Sequence, residues 1–380
     1  MSRSLSTAIL HLCAVEITAT TLLRPQLVAL QQRGFDIRLA CEPGQTGFDP
    51  SLAPFDPVEI RYPRKVDLIG VAKASERVLS ILHEMRPAAV HLHTPAAALQ
   101  FRFIPRSLFP KGTKILYTVH GFAHLWGTGK PRDFILERTE RLLAHRTDVM
   151  YFQSIEDFEN AERRRYSSNL VYLGNGVGDE WFEVPPPPVR RGALKAIFIG
   201  RLVREKGILD LLEALAHAQD VELCVVGAQA PSDRDGVASE VARLAGSDSL
   251  KGRVRCVGLL SQSELREEMS AVDLVILPSY REGVPRSLIE GLAAGRPILT
   301  TDTRGCRELV AEGTNGMLVP VGRPDQLARA LRKMAELGTD DLIAMGKASK
   351  SRASSFHREQ LIFNRLISSY EAEGLGPAST

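Results

Sequence analysis

Two acidic and two basic residues carry the chemistry that this sequence advertises. Glu282 and Glu290 stand in Leu277–Gly295, LPSYREGVPRSLIEGLAAG, and Arg201 and Lys206 stand in Phe198–Gly207, FIGRLVREKG. Two cations just beyond an apolar run can neutralise a diphosphate that departs as an anion. A loop carboxylate followed by glycine lets backbone N–H groups approach a ligand closely, and the helix start behind it favours a phosphate through its free N–H groups and its dipole. Glu282, the helix start and Glu290 inside the helix together make a compact site for a sugar nucleotide. The plain alternative is a strand–loop–helix unit with solvated acids and a solvated basic turn.

The elements that must hold these residues are legible around them. Asp273–Leu277 has the length and composition of a buried parallel strand. A helix follows, with Pro285 near its first turn, an apolar stripe of Leu288, Ile289 and Leu292, and Gly295 as its stop. Arg296–Thr300 opens the next strand. The other loop starts where a strand ends at Gly200. It is neither GxGxxG nor GxxxxGK[ST], because Ile208 follows Gly207, which weakens nicotinamide and P-loop readings.

Apolar runs alternate with amphipathic stretches along the whole chain, the pattern of α/β sheets. In the first half strands are predicted at 8–15, 35–41, 88–92, 114–119 and 148–153, with helices at 20–33, 71–85 and 133–144. Ligands of such sheets lie beyond the carboxyl ends of strands, so the loops at 16–21, 91–94, 120–122 and Ser154 are the informative ones. Pro185–Pro188 reads as a stiff extended connector. A second series then runs through strands at 196–199, 222–226, 254–257, 273–277, 297–300 and 316–320, with helices at 208–216, 263–269 and 324–337 and a helical tail over 341–373.

With 380 residues, 44% hydrophobic and 24% charged, the chain has the size of two domains and an ordinary globular composition. No apolar run reaches the length of a membrane span, and His11 and Glu16 interrupt the N-terminal one, which reads as a first strand rather than a signal peptide. Five scattered cysteines without CxxC spacing argue against zinc or a disulfide framework and suit a reducing cytoplasm. A formal charge of +3 is too small to suggest nucleic acid. The basic excess is local: residues 61–114 hold ten Lys/Arg against three acids, while residues 191–380 hold 25 of each sign. That face is either simply solvated or turned toward anionic lipid or a phosphate-bearing acceptor. Phe101–Phe109, FRFIPRSLF, interleaves aromatic and basic residues as an interfacial anchor does.

Several motifs together resemble retaining glycosyltransferases of family 4. They are Gly200-Arg-Leu with Glu205-Lys-Gly207, the Glu282-x7-Glu290 spacing in EGVPRSLIE, and Gly305-Cys-Arg-Glu-Leu-Val followed by Gly313-Thr-Asn-Gly-Met-Leu-Val319. The first half is similar too, in HLHTP at 91–95, YTVHGF at 117–122 and ERLLAHRTDVMYFQS at 140–154. Within that family the chain looks closest to bacterial enzymes that build surface polysaccharide on lipid carriers.

The resemblance implies a GT-B fold, two Rossmann-like domains facing each other across a cleft. Residues 1–184 would bind the acceptor, 189–355 would bind the nucleotide sugar, and a C-terminal helix near 356–375 would return to the first domain. It implies that Arg201 and Lys206, beside Gly200, bind the donor diphosphate, and that Glu282 meets the hydroxyls of the transferred sugar. The amides of Gly283 and Val284 would lie close to sugar or phosphate. Glu290 would hold the ribose, and His120 would lie on the acceptor side near the donor sugar. The implied partners are a nucleoside diphosphate sugar, a lipid-linked saccharide and the inner membrane surface. UDP-linked hexose or N-acetylhexosamine stands ahead of GDP-mannose. The implied place is the cytoplasm, free or at the cytoplasmic face of the membrane, with no cofactor and no metal. A sugar-nucleotide epimerase on a similar scaffold and a noncatalytic nucleotide-sugar-binding protein are the competing readings.

One loop departs from the family pattern. Ala14–Thr21 has no glycine pair, so phosphate binding is not carried onto it; hydroxyls of Thr18, Thr20 or Thr21 are the available substitutes. Three weaker signals read more plainly. Asp233-Arg-Asp235 matches a metal-binding DxD by chance, His91 and His93 form a structural or substrate-facing strand end, and Glu156, Asp157 and Glu159 form a solvated helix start.

Overall fold

Apolar runs that are buried on both faces form parallel sheets, and this chain forms two. The computed structural model describes residues 6–62, 67–122, 131–166, 169–229 and 236–377. The chain divides into one unit of Met1–Leu173 with Phe363–Thr380 and another of Gly174–Ile362.

In the first unit seven strands, β1 (Ile9–Val15), β2 (Ile37–Glu42), β3 (Val58–Glu59), β4 (Ala89–Leu92), β5 (Lys114–Val119), β6 (Val149–Phe152) and β7 (Leu170–Tyr172), lie in the order β3-β2-β1-β4-β5-β6-β7. All their pairings are parallel. The connecting helices are α1 (Arg24–Gln32), α2 (Leu68–Met85), α3 (Pro95–Phe103), α4 (Pro131–Ala144) and α5 (Ile155–Arg163). In the second unit β8 (Leu194–Ile199), β9 (Val221–Val226), β10 (Val254–Gly258), β11 (Leu274–Leu277), β12 (Ile298–Thr301) and β13 (Gly316–Val319) lie in the order β10-β9-β8-β11-β12-β13. Helices α6 (Ile208–Ala216), α7 (Val237–Ala245), α8 (Gln262–Ser270), α9 (Arg286–Ala293), α10 (Pro324–Glu336) and α11 (Thr339–Phe356) belong to it, and α12 (Glu359–Ala372) carries the chain back into the first unit. Strand order reverses at β1/β4 in one sheet and at β8/β11 in the other. A parallel sheet opens a crevice beyond its strand ends at such a reversal.

Three expectations are corrected. Phe101, Arg102 and Phe109 are buried while Phe103, Arg106 and Leu108 are exposed, so only part of Phe101–Phe109 meets the surface. Arg102 instead lies 4.4 Å over the Tyr117 ring and pairs with Glu140 at 2.8 Å. Asp157 is fully buried rather than solvated, and its carboxylate accepts the Phe122 N–H at 3.1 Å. The stretch after β1 is helical: a turn at Glu16–Thr18 and a π-helical segment at Ala19–Leu23 run into α1. A π-helix leaves its hydroxyls close to carbonyls of the preceding turn. Thr21 donates to Ile17 O at 2.5 Å and Thr20 to the same oxygen at 3.2 Å, so these hydroxyls are not offered to a phosphate. Asp233-Arg-Asp235 lies outside the described residues, as do Arg64 and Lys65 of the basic stretch.

Candidate functional site

In the second unit the loops that leave β8 and β11 meet at the strand-order reversal. After β8, Gly200 donates its N–H to Val226 O at 3.0 Å and Arg201 follows, exposed. Arg204–Lys206 forms a 3-10 turn, and Gly207 adopts φ +69°. A Cβ on Gly207 would lie 1.9 Å from Pro278 O, so only glycine lets the two loops touch. Tyr280 N–H donates to Glu205 O at 2.9 Å and Arg281 pairs with the Glu205 carboxylate at 2.7 Å, which knits them further.

This knitting brings Lys206 and Glu282 together. Lys206 Nζ donates to Glu282 Oε1 at 2.5 Å, and the buried Ser279 hydroxyl donates to the same oxygen at 2.7 Å. Oε2 has no hydrogen-bond partner among the described residues. Ser279 is itself held: Thr301 donates its hydroxyl to Ser279 O, and Thr300 donates to Leu277 O at 2.6 Å. Beyond Glu282, Arg304 donates to its carbonyl at 3.3 Å, and Gly305 (φ +76°) lies so close that a Cβ there would stand 1.2 Å from Gly283 O. Val284 is buried, with its carbonyl accepting Asn175 Nδ2 at 3.0 Å. One oxygen of Glu282 is therefore fixed from two sides, which holds the carboxylate in one orientation.

Glu290 stands apart from that cluster. It lies on α9, whose first turn receives no side-chain cap, and is 4% exposed. Arg286 approaches it at 3.4 Å and also pairs with Glu359 at 2.9 Å. Burial outweighs the attraction of Arg286, and the Glu290 carboxyl is pushed up to about 7.

His120, in the first unit, follows β5. Its Nδ1 donates to Gln153 Oε1 at 3.0 Å, which leaves Nε2 as a buried lone pair without a partner among the described residues. Burial holds its pKa down at about 4, so the ring is neutral at physiological pH. Behind it lie three more buried imidazoles. His11 on β1 faces His91 across the sheet, and His11 Nδ1 meets His93 Nε2 at 2.9 Å. His91 reaches Tyr370 OH at 2.5 Å and Thr118 Oγ1 at 2.7 Å. One nitrogen from each of His11, His91 and His93 lies within 4.8 Å of the others. His91 has both nitrogens committed to hydroxyls, however, and the group holds no carboxylate or thiolate to offset a divalent charge in a fully buried core. We read it as a neutral hydrogen-bonded cluster. The sequence pointed to Lys206, Glu282 and His120; it missed Ser279 and Gln153, whose only signals are their positions, three before Glu282 and one before Ser154.

Two parallel Rossmann-like units, with a basic-acidic site at the sheet reversal of the second, define a class of nucleotide-sugar fold. Residues 21–181 match the family described as Glycosyltransferase Family 4 and residues 179–352 that described as Glycosyl transferases group 1. The chain belongs to the glycosyltransferases and has the GT-B fold. EpsD of Bacillus subtilis is 28% identical over 264 residues, 64% of this chain and 66% of EpsD. The lipopolysaccharide core biosynthesis glycosyltransferase LpsE of Rhizobium meliloti is 30% identical over 170 residues, 45% of this chain and 47% of LpsE. The chain thus spans about half to two thirds of the length of these curated relatives. Anabaena HepE, solved in complex with UDP-glucose, superposes with a TM-score of 0.76 over 96% of this chain and 99% of HepE, at 18% identity.

Proposed function

We propose that the chain transfers a hexose or N-acetylhexosamine from a UDP-sugar to a hydroxyl of a lipid-linked saccharide, with retention at the anomeric carbon. The observation that carries this reading is the Lys206–Glu282–Ser279 cluster at the β8/β11 reversal. The glycosidic bond to the diphosphate breaks as the acceptor oxygen bonds to the anomeric carbon, and the acceptor proton leaves with the diphosphate or to solvent. The barrier lies in an oxocarbenium-like sugar and a departing diphosphate. Lys206 and Arg201 offset the charge of the diphosphate, with the start of α9 adding its dipole, so the reaction needs no metal. Glu282 Oε2 accepts from a sugar hydroxyl. Glu290, once ionised, accepts from the ribose hydroxyls. His120, with a pKa of about 4, is too weak a base to hold an acceptor proton at neutral pH; its Nε2 serves as a hydrogen-bond acceptor for a sugar hydroxyl.

Support for the donor comes from the UDP-glucose bound to the similarly folded HepE, and for the acceptor from LpsE's part in lipopolysaccharide core biosynthesis. No helix among the described residues is long and apolar enough to cross a membrane, and we place the enzyme at the cytoplasmic face of the membrane as a peripheral protein. The test incubates purified protein with a panel of radiolabelled sugar nucleotides and a membrane lipid extract. Label passing into the organic phase with release of UDP supports transfer. Label that stays water-soluble on an intact, isomerised nucleotide sugar would mark an epimerase, and binding of UDP without turnover a noncatalytic protein.

A further inference from the structure

Phe101, Arg102 and Phe109 of the anchor read from the sequence are buried, but a neighbouring helix presents a fuller set of exposed apolar and basic side chains. On α4 the exposed positions Phe134, Ile135, Arg138, Arg141 and Leu142 recur at helical spacing and form one stripe, with exposed His145 just beyond its end. Phe134, Ile135 and Leu142 are 58%, 61% and 64% exposed, far from the usual fate of large apolar side chains. The acids of the same helix turn away. Glu137 pairs with Arg164 and Glu140 with the buried Arg102, while Asp133 is half-buried. The outward stripe therefore carries two arginines and no carboxylate. Arg138 lies 4.7 Å over the Phe134 ring, so cation and aromatic face outward together. Just past the end of α4, Arg146 donates to Arg102 O at 3.0 Å and to Phe103 O at 3.3 Å, which ties the backbone at the 53% exposed Phe103 to that end of the helix.

We propose that this stripe of α4, extended by Phe103, docks the first unit onto an anionic phospholipid surface. Charge and shape commit it to that occupant. From Phe134 to Leu142 the stripe runs about 12 Å at the helical rise, enough for three apolar side chains to enter the boundary between headgroups and chains while the arginines stay among lipid phosphates. Each arginine near such a surface contributes about 1 kcal/mol, so attachment is reversible and salt-sensitive. This deepens the lipid-linked acceptor reading given above: a docked first unit would meet an acceptor that remains in the bilayer.

The test is co-sedimentation of the purified full chain with phosphatidylglycerol/phosphatidylcholine vesicles and with pure phosphatidylcholine vesicles. The wild type is expected to sediment with the anionic vesicles only, and less so as salt rises. Arg138→Glu and Arg141→Glu should each weaken binding about 30-fold, because a reversal removes one attractive charge and adds a repelled one, about 2 kcal/mol together. Phe134→Ser with Ile135→Ser should weaken it while leaving the salt dependence in place. Lys251→Glu, an exposed change in the second unit, should alter nothing. Circular dichroism and UDP binding check that each variant is folded. Equal binding by the arginine variants, or no binding by the wild type, overturns the proposal. So does a concentration-dependent dimer broken by Leu142→Glu without vesicle binding, which would make the stripe a contact between copies. The two readings fail separately. Stripe-dependent vesicle binding with no label entering lipid removes the acceptor reading alone, and label entering detergent-dispersed lipid with no vesicle binding removes the docking alone.

Discussion

The two sheets solve the same topological problem with opposite electrostatics. At the β1/β4 reversal of the first unit the chain places neutral imidazoles, His11, His91 and His93, with His120 beside them, and keeps them uncharged by burial. At the β8/β11 reversal of the second it places opposite charges in contact, Lys206 with Glu282, and nearby Arg286 between Glu290 and Glu359. Neutral rings can exchange hydrogen bonds with hydroxyls but would gain little from an anion. A lysine already sharing a carboxylate can accept a diphosphate as a further partner, because its three N–H groups are not exhausted by one oxygen. The difference suits one unit to an uncharged hydroxyl and the other to an anion, as the proposed reaction would require.

Acidification should separate the units most. His11 is held down at about 3 and His120 at about 4, with burial the leading cause, and His91 and His93 are lowered as well. Below the unfolded value near 6.5 the unfolded chain binds protons that the folded rings refuse. The stability they contribute is whole above about pH 6.5 and falls toward pH 4, by about 1.4 kcal/mol per pH unit for each ring. Hydrogen exchange read by mass spectrometry should show the first unit opening before the second as pH drops from 7 to 5. Simultaneous loss of both would break the contrast.

The next largest effect belongs to the charged site. Glu282→Ala and Lys206→Ala should each lower kcat/KM about 100- to 1,000-fold, the range seen when one transition-state partner is removed. Circular dichroism should remain that of the wild type, and full activity in both would refute the site.

Glu290 runs against the histidines in sign. Its folded pKa of about 7 lies above the usual 4.5, so the folded state keeps a proton that the unfolded chain releases. The stability this gives is complete below about 4.5 and lost as pH rises through 7, while the ribose contact proposed for Glu290 calls for the ionised form. UDP affinity measured by calorimetry should therefore rise about tenfold per pH unit below 7 and level off above it. Glu290→Gln should flatten that profile and keep the second unit more stable than the wild type at pH 8. A wild-type profile that is already flat would separate Glu290 from the nucleotide.

Two smaller tests probe how each site is held. Ser279→Ala removes the donor that does not need to serve a phosphate as well. It should cut turnover about tenfold while UDP affinity stays within twofold, and Ser279→Thr should recover part of the loss. Parallel losses of both would make the hydroxyl merely structural. Tyr370→Phe leaves His91 Nδ1 without its partner in the core and should cost about 1–2 kcal/mol in chemical denaturation, confined to the first unit.

The sequence by itself determined the class. Its apolar runs fell on eleven of the thirteen strands, because most of these are buried on both faces and so read as continuous apolar segments, although β10 lies half-exposed at a sheet margin. The two it missed, β3 and β7, are two and three residues long at the sheet margins, too short for a pattern to form. Glycines and spacing marked the loops of Lys206 and Glu282, since only glycine permits the close approaches made there. Tertiary structure decided what those loops do with their charges: that Lys206 and Ser279 share one oxygen of Glu282, that Glu290 answers to Arg286, and that Gln153 sets the tautomer of His120. It also divided the stretch at Phe101–Phe109, burying Arg102 against Tyr117 and Glu140 while leaving Phe103 exposed, and it turned the arginines of α4 outward. Burial and partner choice depend on residues far apart in the chain, so composition could report a basic excess in this unit but not which side chains would meet solvent.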